Sequence, residues 1–406
     1  MKNANDSTDT CLLRNARLVL PDGIRDRASL LIEDGRIARI FDSAIEPQGA
    51  YAETTINLDG LTLYPGFIDI HIHGAAGVDT MEANADGLHR VATFLAQHGI
   101  TSWLPTLVPA PEADYEKAVR AIEQLMREQD TQRRPAAARV LGLHYEGPFI
   151  NSAQCGALRP AYFCTFDTTA SLDGLATLNE NGALHMTTLA PEITGGLELI
   201  VELRRRGWIV SIGHTRALPS VLDRAHEAGA RHMTHFMNAM PPLHHRDVGP
   251  TGWGLLRDDV SCDIIADGVH LDVLMLKLLL RSKTPARLSL ISDAIAPTGL
   301  GDGQYGIWDE TITVAKGRTQ NARGHIAGSV ITMLDAVRMM LSLDVSPMDV
   351  ARMSAANPAQ LLGINSECGT IEEGKRADLT ALDKEGNVRL TLTGGRIAHD
   401  ERASRK

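Results

Sequence analysis

The sequence predicts an α/β protein: a TIM (β/α)8 barrel carrying a small β-sandwich domain built from both chain termini. Three observations lead there. The middle of the chain alternates eight short apolar runs with longer amphipathic stretches, as parallel strands joined by crossover helices do. The two ends share a different texture, of short apolar runs broken by tight-turn dipeptides. Metal-competent residues recur where the middle runs end, the face on which a barrel carries its chemistry. A chain of 406 residues suits two to three domains at about 150 residues each, or one large barrel and a smaller companion.

At the N-terminal end, runs 16–20, 28–32 and 36–41 are separated by Pro21-Asp22-Gly23 and Asp34-Gly35, so they read as strands joined by hairpin turns. The C-terminal end repeats the style with runs 377–382, 388–393 and 396–398, separated by Glu385-Gly386-Asn387 and Gly394-Gly395. Neither piece can bury a core alone. Residues 1–62 and 364–406 are therefore expected to share one sheet domain, leaving 63–363 as the barrel. The barrel strands are read at 63–70, 100–106, 139–145, 185–190, 208–212, 232–234, 262–266 and 288–292. Stretches 84–97 and 114–128 have the length and period of crossover helices, and 332–343 follows the eighth strand.

Composition removes several classes. With 44% hydrophobic and 22% charged residues, the chain is neither disordered nor a disulfide scaffold. No run approaches the roughly 20 apolar residues of a membrane span; the most apolar stretch, 271–280, contains Asp272 and Lys277 and reads as a helix with one buried face. The first residues are polar and show no leader-like apolar segment. Five scattered cysteines, with no CxxC pair, fit reduced thiols and a cytoplasmic location. A net charge of −10, with no basic block beyond Arg204 to Arg206, argues against nucleic acid as a partner.

The ends of the strand runs carry the chemistry. The first ends in His71-Ile72-His73, where period-two geometry turns both imidazoles to one face. The third ends in Glu146, the fifth in His214, the sixth in His235 and the eighth in Asp293. A single His or Glu at a strand end is usually a satisfied or solvated group. Six on one face make a metal site, and nitrogen and oxygen donors without cysteine suit Zn²⁺, Fe²⁺, Mn²⁺ or Co²⁺.

The chain resembles the amidohydrolase superfamily and, within it, the N-acetylglucosamine-6-phosphate deacetylases. The resemblance is carried by YPGFIDIHIHG (64–74), GLHYEGPFIN (142–151), SIGHT (211–215), THFMNAMPPLHHRDVG (234–249), IIADGVH (264–270), SDAIAPTG (292–299) and AGS (327–329), and GTIEEGKRADL (369–379) extends it into the sheet domain. It implies deacetylation of an amino-sugar phosphate, with Glu146, His214 and His235 holding the catalytic metal. Having His71 and His73, the chain is similar to the two-metal members, although the pair could line the pocket without a second ion. The resemblance makes Asp293 the proton shuttle. It assigns the sugar phosphate to Ala157, Asn238, Ala239, Arg246, Asp267, His270, Ile326, Ala327 and Gly328, and it implies a homo-oligomer, dimeric or larger. Arg246 has the planar fork that binds two phosphate oxygens, though a loop arginine can also be merely solvated, as His244 and His245 beside it can.

One position departs from the family. A histidine expected after EGPFIN is replaced by Leu158, so a second metal, Arg159 or a different substrate has to account for carbonyl polarisation. Cys155 is not expected to act as a nucleophile. The alternatives are a deacetylase of N-acetylgalactosamine 6-phosphate or of an unphosphorylated sugar, and a non-catalytic barrel scaffold. A dihydroorotase-like enzyme is disfavoured because the fourth run has no lysine.

Overall fold

In the computed structural model, which describes residues 10–42 and 52–402, the terminal runs pair into one eight-stranded sheet. Thr10–Leu20 pairs antiparallel with Gly23–Glu33 and parallel with Thr54–Asn57 and Thr62–Pro65. Thr62–Pro65 then pairs antiparallel with Leu379–Leu382, which leads to Val388–Thr393 and Arg396–Asp400. That ladder, with an antiparallel bridge between Arg36 and Arg376, joins the two chain ends. Leu13, Leu18, Leu30, Leu63, Leu379 and Leu392 form the shared core, the burial neither half supplies alone.

The barrel strands are Phe67–Ile72, Ile100–Leu107, Gly142–Glu146, Leu184–Leu189, Ile209–Ile212, His232–Met233, Ser261–Ile265 and Leu288–Ile291. They lie parallel in sequence order, and the eighth returns to the first through Asp293 N–H to the His71 carbonyl (2.9 Å) and His73 N–H to the Ala294 carbonyl (2.8 Å). Every residue of Ile100–Leu107 is buried, because helices cover the outside while side chains fill the inside. The crossover helix Ala85–Gln97 starts where Asn84 accepts from the Gly87 N–H, and Met333–Ser342 starts in a capping box of Thr332 and Asp335. No described helix is long and apolar enough to cross a membrane.

Two features differ from expectation. The run 63–70 is not one strand: Thr62–Pro65 belongs to the terminal sheet and Phe67–Ile72 to the barrel. The changeover falls at Gly66, where a Cβ would lie 2.2 Å from Thr101 Cγ2. Both halves are buried, so the apolar pattern runs unbroken through the change of partner, and the sheet reaches three residues beyond the expected boundary at 62. The second feature is a three-stranded antiparallel insertion, Gly303–Ile307, Glu310–Ala315 and Arg318–Gln320, between the eighth strand and Met333–Ser342. Its first turn is Trp308-Asp309, both with positive φ (54° and 61°).

Candidate active site

The sequence-predicted metal-competent residues meet at the C-terminal mouth of the barrel. His71, in the first strand, and His73, just past its end, are buried with their Nε2 atoms 3.2 Å apart. Glu146 Oε1 lies 2.9 Å from both His214 Nε2 and His235 Nε2, which are 3.2 Å from each other. Glu146 Oε2 lies 3.3 Å from His73 Nε2, and Asp293 Oδ1 lies 3.4 Å from His71 Nε2 and 3.3 Å from His73 Nε2. His214, His235 and Asp293 all have positive φ (47°, 30° and 51°). That conformation is costly for non-glycine residues and is tolerated where surrounding structure imposes it, characteristically at functional sites.

Proton bookkeeping shows what this cluster needs. His214 Nδ1 lies 2.7 Å from the Gln154 carbonyl, which can only accept, so Nδ1 donates there and Nε2 is the ring atom turned to the Glu146 carboxylate. At 2.9 Å the pair is placed to share a proton or to hold a metal ion between its atoms. The electrostatics agree: burial works against charge on His73 and His235, yet Asp293 and Glu146 beside them raise His73 to about 10 and His235 to about 9. Burial also raises Glu146, but the surrounding imidazoles outweigh it and hold the carboxyl well below its ordinary range. His71, Glu146 and His235 on one side and His71, His73 and Asp293 on the other bring ligand atoms within 4.8 Å of one another. The donor set fits one or two divalent metal ions.

Buried polar residues behind this set hold it in place, and sequence reasoning missed them. Asp263 accepts from the His235 N–H and contacts His232 Nε2 at 3.0 Å. His144 Nδ1 bonds to the Ile70 carbonyl (2.9 Å) and its Nε2 accepts from the Thr188 hydroxyl (2.8 Å), which leaves the ring edge-on against His71. Asp69 accepts from the Ser292 hydroxyl at 2.6 Å, and its burial, partly offset by that bond, raises it to about 7. Asp69 shares the face of His71 and His73 by period two, and His144 that of Glu146, so the signal was present for both.

Above the metal-competent groups opens a cavity of about 250 Å³. His73, Glu146, His214, His235 and Asp293 reach it from below, and Ala157, Asn238, Ala239, His270, Ile326 and Gly328 line it. Asp267 stands behind the lining, accepting from His270 Nδ1 at 2.7 Å, and Ala327 is fully buried beside it. Arg246 is exposed and is not among the lining residues. Leu158 forms part of the wall, whereas Arg159 turns away to Asp309 (3.0 Å) and the Tyr162 ring, so of the three alternatives for the missing histidine the one through Arg159 has no support. Trp308 and His325, from the insertion and the loop after it, complete the wall. Arg323 ties that loop to the Ala157 carbonyl at 2.7 Å.

Comparison with known proteins agrees with this geometry. The amidohydrolase family profile matches residues 62–398. The N-acetylgalactosamine-6-phosphate deacetylase of Escherichia coli O157:H7 is 35% identical, over 96% of this chain and 99% of its own. The N-acetylglucosamine-6-phosphate deacetylase of Bacillus subtilis is 34% identical over 96% and 97%. Among solved structures, the N-acetylglucosamine-6-phosphate deacetylase of Thermotoga maritima superposes with a TM-score of 0.84 at 31% identity, covering 96% of this chain and all of that one. The chain belongs to the amidohydrolase family, among the N-acetylglucosamine-6-phosphate deacetylases.

Proposed function

We propose that the chain hydrolyses the acetamide of N-acetyl-D-glucosamine 6-phosphate to D-glucosamine 6-phosphate and acetate. The observation that carries this reading is the convergence of His71, His73, Glu146, His214, His235 and Asp293 below a sugar-sized cavity. Relatives named for that reaction match nearly the whole chain. The five ligand residues other than Asp293 would hold one or two divalent ions of Zn, Fe, Mn or Co. Bound there, such an ion supplies Lewis-acid activation of water and of the amide carbonyl.

The chain's own residues do the rest. The Asp293 carboxylate takes a proton from the attacking water as the C–O bond forms. It returns that proton to the amide nitrogen as the C–N bond breaks, so that the leaving group departs as a neutral amine. His270, held by Asp267 through Nδ1, offers Nε2 to the sugar or its phosphate, and Asn238 offers its side-chain amide. Ala157, Ala239, Ile326, Ala327 and Gly328 shape the wall, and Trp308 and Leu158 keep water from it. Arg246 serves the phosphate only if segment 241–248 comes closer to the cavity.

A second reading, deacetylation of the galactosamine epimer, is favoured by the 35% identical relative of that name and by Leu158 in the wall. Rates of amine release from N-acetylglucosamine 6-phosphate, its galactosamine epimer and unphosphorylated N-acetylglucosamine, with metal content measured, test both. The highest kcat/KM on the first substrate is expected. Preference for the epimer would move the specificity, and no turnover with the metal site full would leave a non-catalytic scaffold.

The division into a sheet domain and a hydrolase barrel, with the changeover at Gly66, is part of this proposal. So is a homo-oligomer, supported by Leu256 and Leu274, which are 78% and 74% exposed; light scattering on the eluting protein tests it. Five free thiols fit a reducing, cytoplasmic compartment.

A further inference from the structure

Arg139 begins the strand run that ends in Glu146, roughly 20 Å away along the strand, at the opposite end of the barrel from the candidate active site. Beside it a cavity of about 350 Å³ opens between the terminal sheet and the segment after the helix Glu112–Asp130. Two sheet turns meet there so closely that a Cβ on Gly35 would lie 2.7 Å from the Gly394 carbonyl oxygen. Five arginines line the cavity: Arg36, Arg134, Arg139, Arg376 and Arg396. Asp34 and Asp130 line it too, both exposed.

Three of the five are neutralised. Arg36 pairs with Glu367 (2.9 Å), Arg134 with Asp86 (2.7 Å) and Glu128, and Arg376 with Asp378 (3.1 Å). Arg139 and Arg396 have no carboxylate partner among the described residues. Arg396 reaches only the Arg134 carbonyl, at 3.5 Å, while Arg139 Nε is buried with no hydrogen-bond partner. Burial, with Arg376 close by, lowers the Arg139 guanidinium from its ordinary value. Arg139 is half-buried, so Nε is the part of its guanidinium withdrawn from water, and a buried donor without an acceptor is costly. The planar guanidinium fork matches phosphate oxygens, and an anion between Arg139 and Arg396 would satisfy both.

We propose that this cavity between the terminal sheet and the barrel is a second, non-catalytic anion site that binds a phosphate monoester, with Arg139 and Arg396 as its principal contacts. The ligand would join the sheet to the barrel by bridging arginines of both. The proposal is independent of the reaction assigned above.

The test uses the metal-loaded full chain. Glucose 6-phosphate, which has no amide to hydrolyse, and inorganic phosphate are titrated calorimetrically into the wild type, Arg139→Met and Arg396→Met, and crystals of the wild type are soaked in tungstate. Expected is an equivalent of glucose 6-phosphate in the wild type whose affinity falls by about tenfold or more in each variant, whether or not a second equivalent enters the active-site cavity. Deacetylation should stay within about twofold, and a tungstate peak should appear between Arg139 and Arg396. Unchanged binding in both variants with no tungstate peak in the cavity overturns the proposal. Binding of inorganic phosphate there without glucose 6-phosphate also overturns it, as a site for the bare anion. The tungstate soak needs no variant, so a variant that fails to fold leaves the test intact.

Discussion

Asp293→Asn removes a proton acceptor while leaving the surrounding backbone in place. The hydrogen bonds that fix residue 293 are main-chain ones, its N–H to the His71 carbonyl (2.9 Å) and the Ser329 N–H to its own carbonyl (2.7 Å). Its φ of 51° is a conformation that Asn adopts more readily than most residues. The variant should therefore fold with a melting temperature close to that of the wild type. What it loses is the carboxylate that carries a proton from water to the amine. General acid–base catalysis contributes about 10²- to 10⁴-fold, about 3 to 5.5 kcal/mol of activation free energy. The assay is release of free amine from N-acetylglucosamine 6-phosphate at saturation, on protein whose metal content has been measured, because Asp293 Oδ1 also lies near His71 and His73. A fall in kcat of about 10³-fold with unchanged metal content and little change in KM is expected. Retention of more than about a tenth of wild-type kcat at equal metal content would refute the shuttle, since that remainder lies outside the range for acid–base catalysis.

Three further outcomes are expected. Removing metal with dipicolinate should abolish activity and lower the melting temperature by several degrees, because an ion bound only by the folded cluster around Glu146 stabilises that state by mass action; unchanged activity and melting after verified metal removal would rule out a metal enzyme. Gly66→Ala places a Cβ 2.2 Å from Thr101 Cγ2 and should cost about 1–3 kcal/mol, read as a lower urea midpoint; an unchanged midpoint would mean that this junction has slack. Arg257 beside Asp259 holds its carboxyl down to about 2, so the folded state binds fewer protons than the unfolded chain between about pH 2 and pH 4. This contribution is present above that window and lost as the pH falls through it, and because Asp259 is half exposed it is worth under about 1 kcal/mol. Asp259→Asn should therefore narrow the melting difference between pH 5 and pH 3, and an unaltered difference would show that the pair contributes nothing.

Local pattern made most of the site legible. His71 lies in the first barrel strand and His73 just past it, two residues on, and Glu146, His214, His235 and Asp293 each stand at or just past a strand end. A parallel barrel places all such ends at one mouth, so six separate positions in the sequence become one cluster. The terminal sheet was readable for a similar reason: hairpin turns and short alternating runs mark strands wherever they occur, and two pieces too small to stand alone have to share a core. Where the pattern is continuous it misleads. The run through Gly66 changes sheets without a change in burial, since both partners cover it.

By itself, then, the sequence determined the order of strand and helix, the common face of the metal-competent residues and the chemistry their side chains allow, because periodicity and residue type are local properties of the chain. Only the tertiary structure decided which distant loops close over that face. Trp308 and His325 come from an insertion and the loop after it, Leu158 faces the cavity while its neighbour Arg159 turns outward to Asp309, and Arg246 stays exposed. Such choices depend on contacts between segments more than a hundred residues apart, as between Arg159 and Asp309 or Arg323 and Ala157. No local period encodes which of two adjacent side chains will find its partner across that distance.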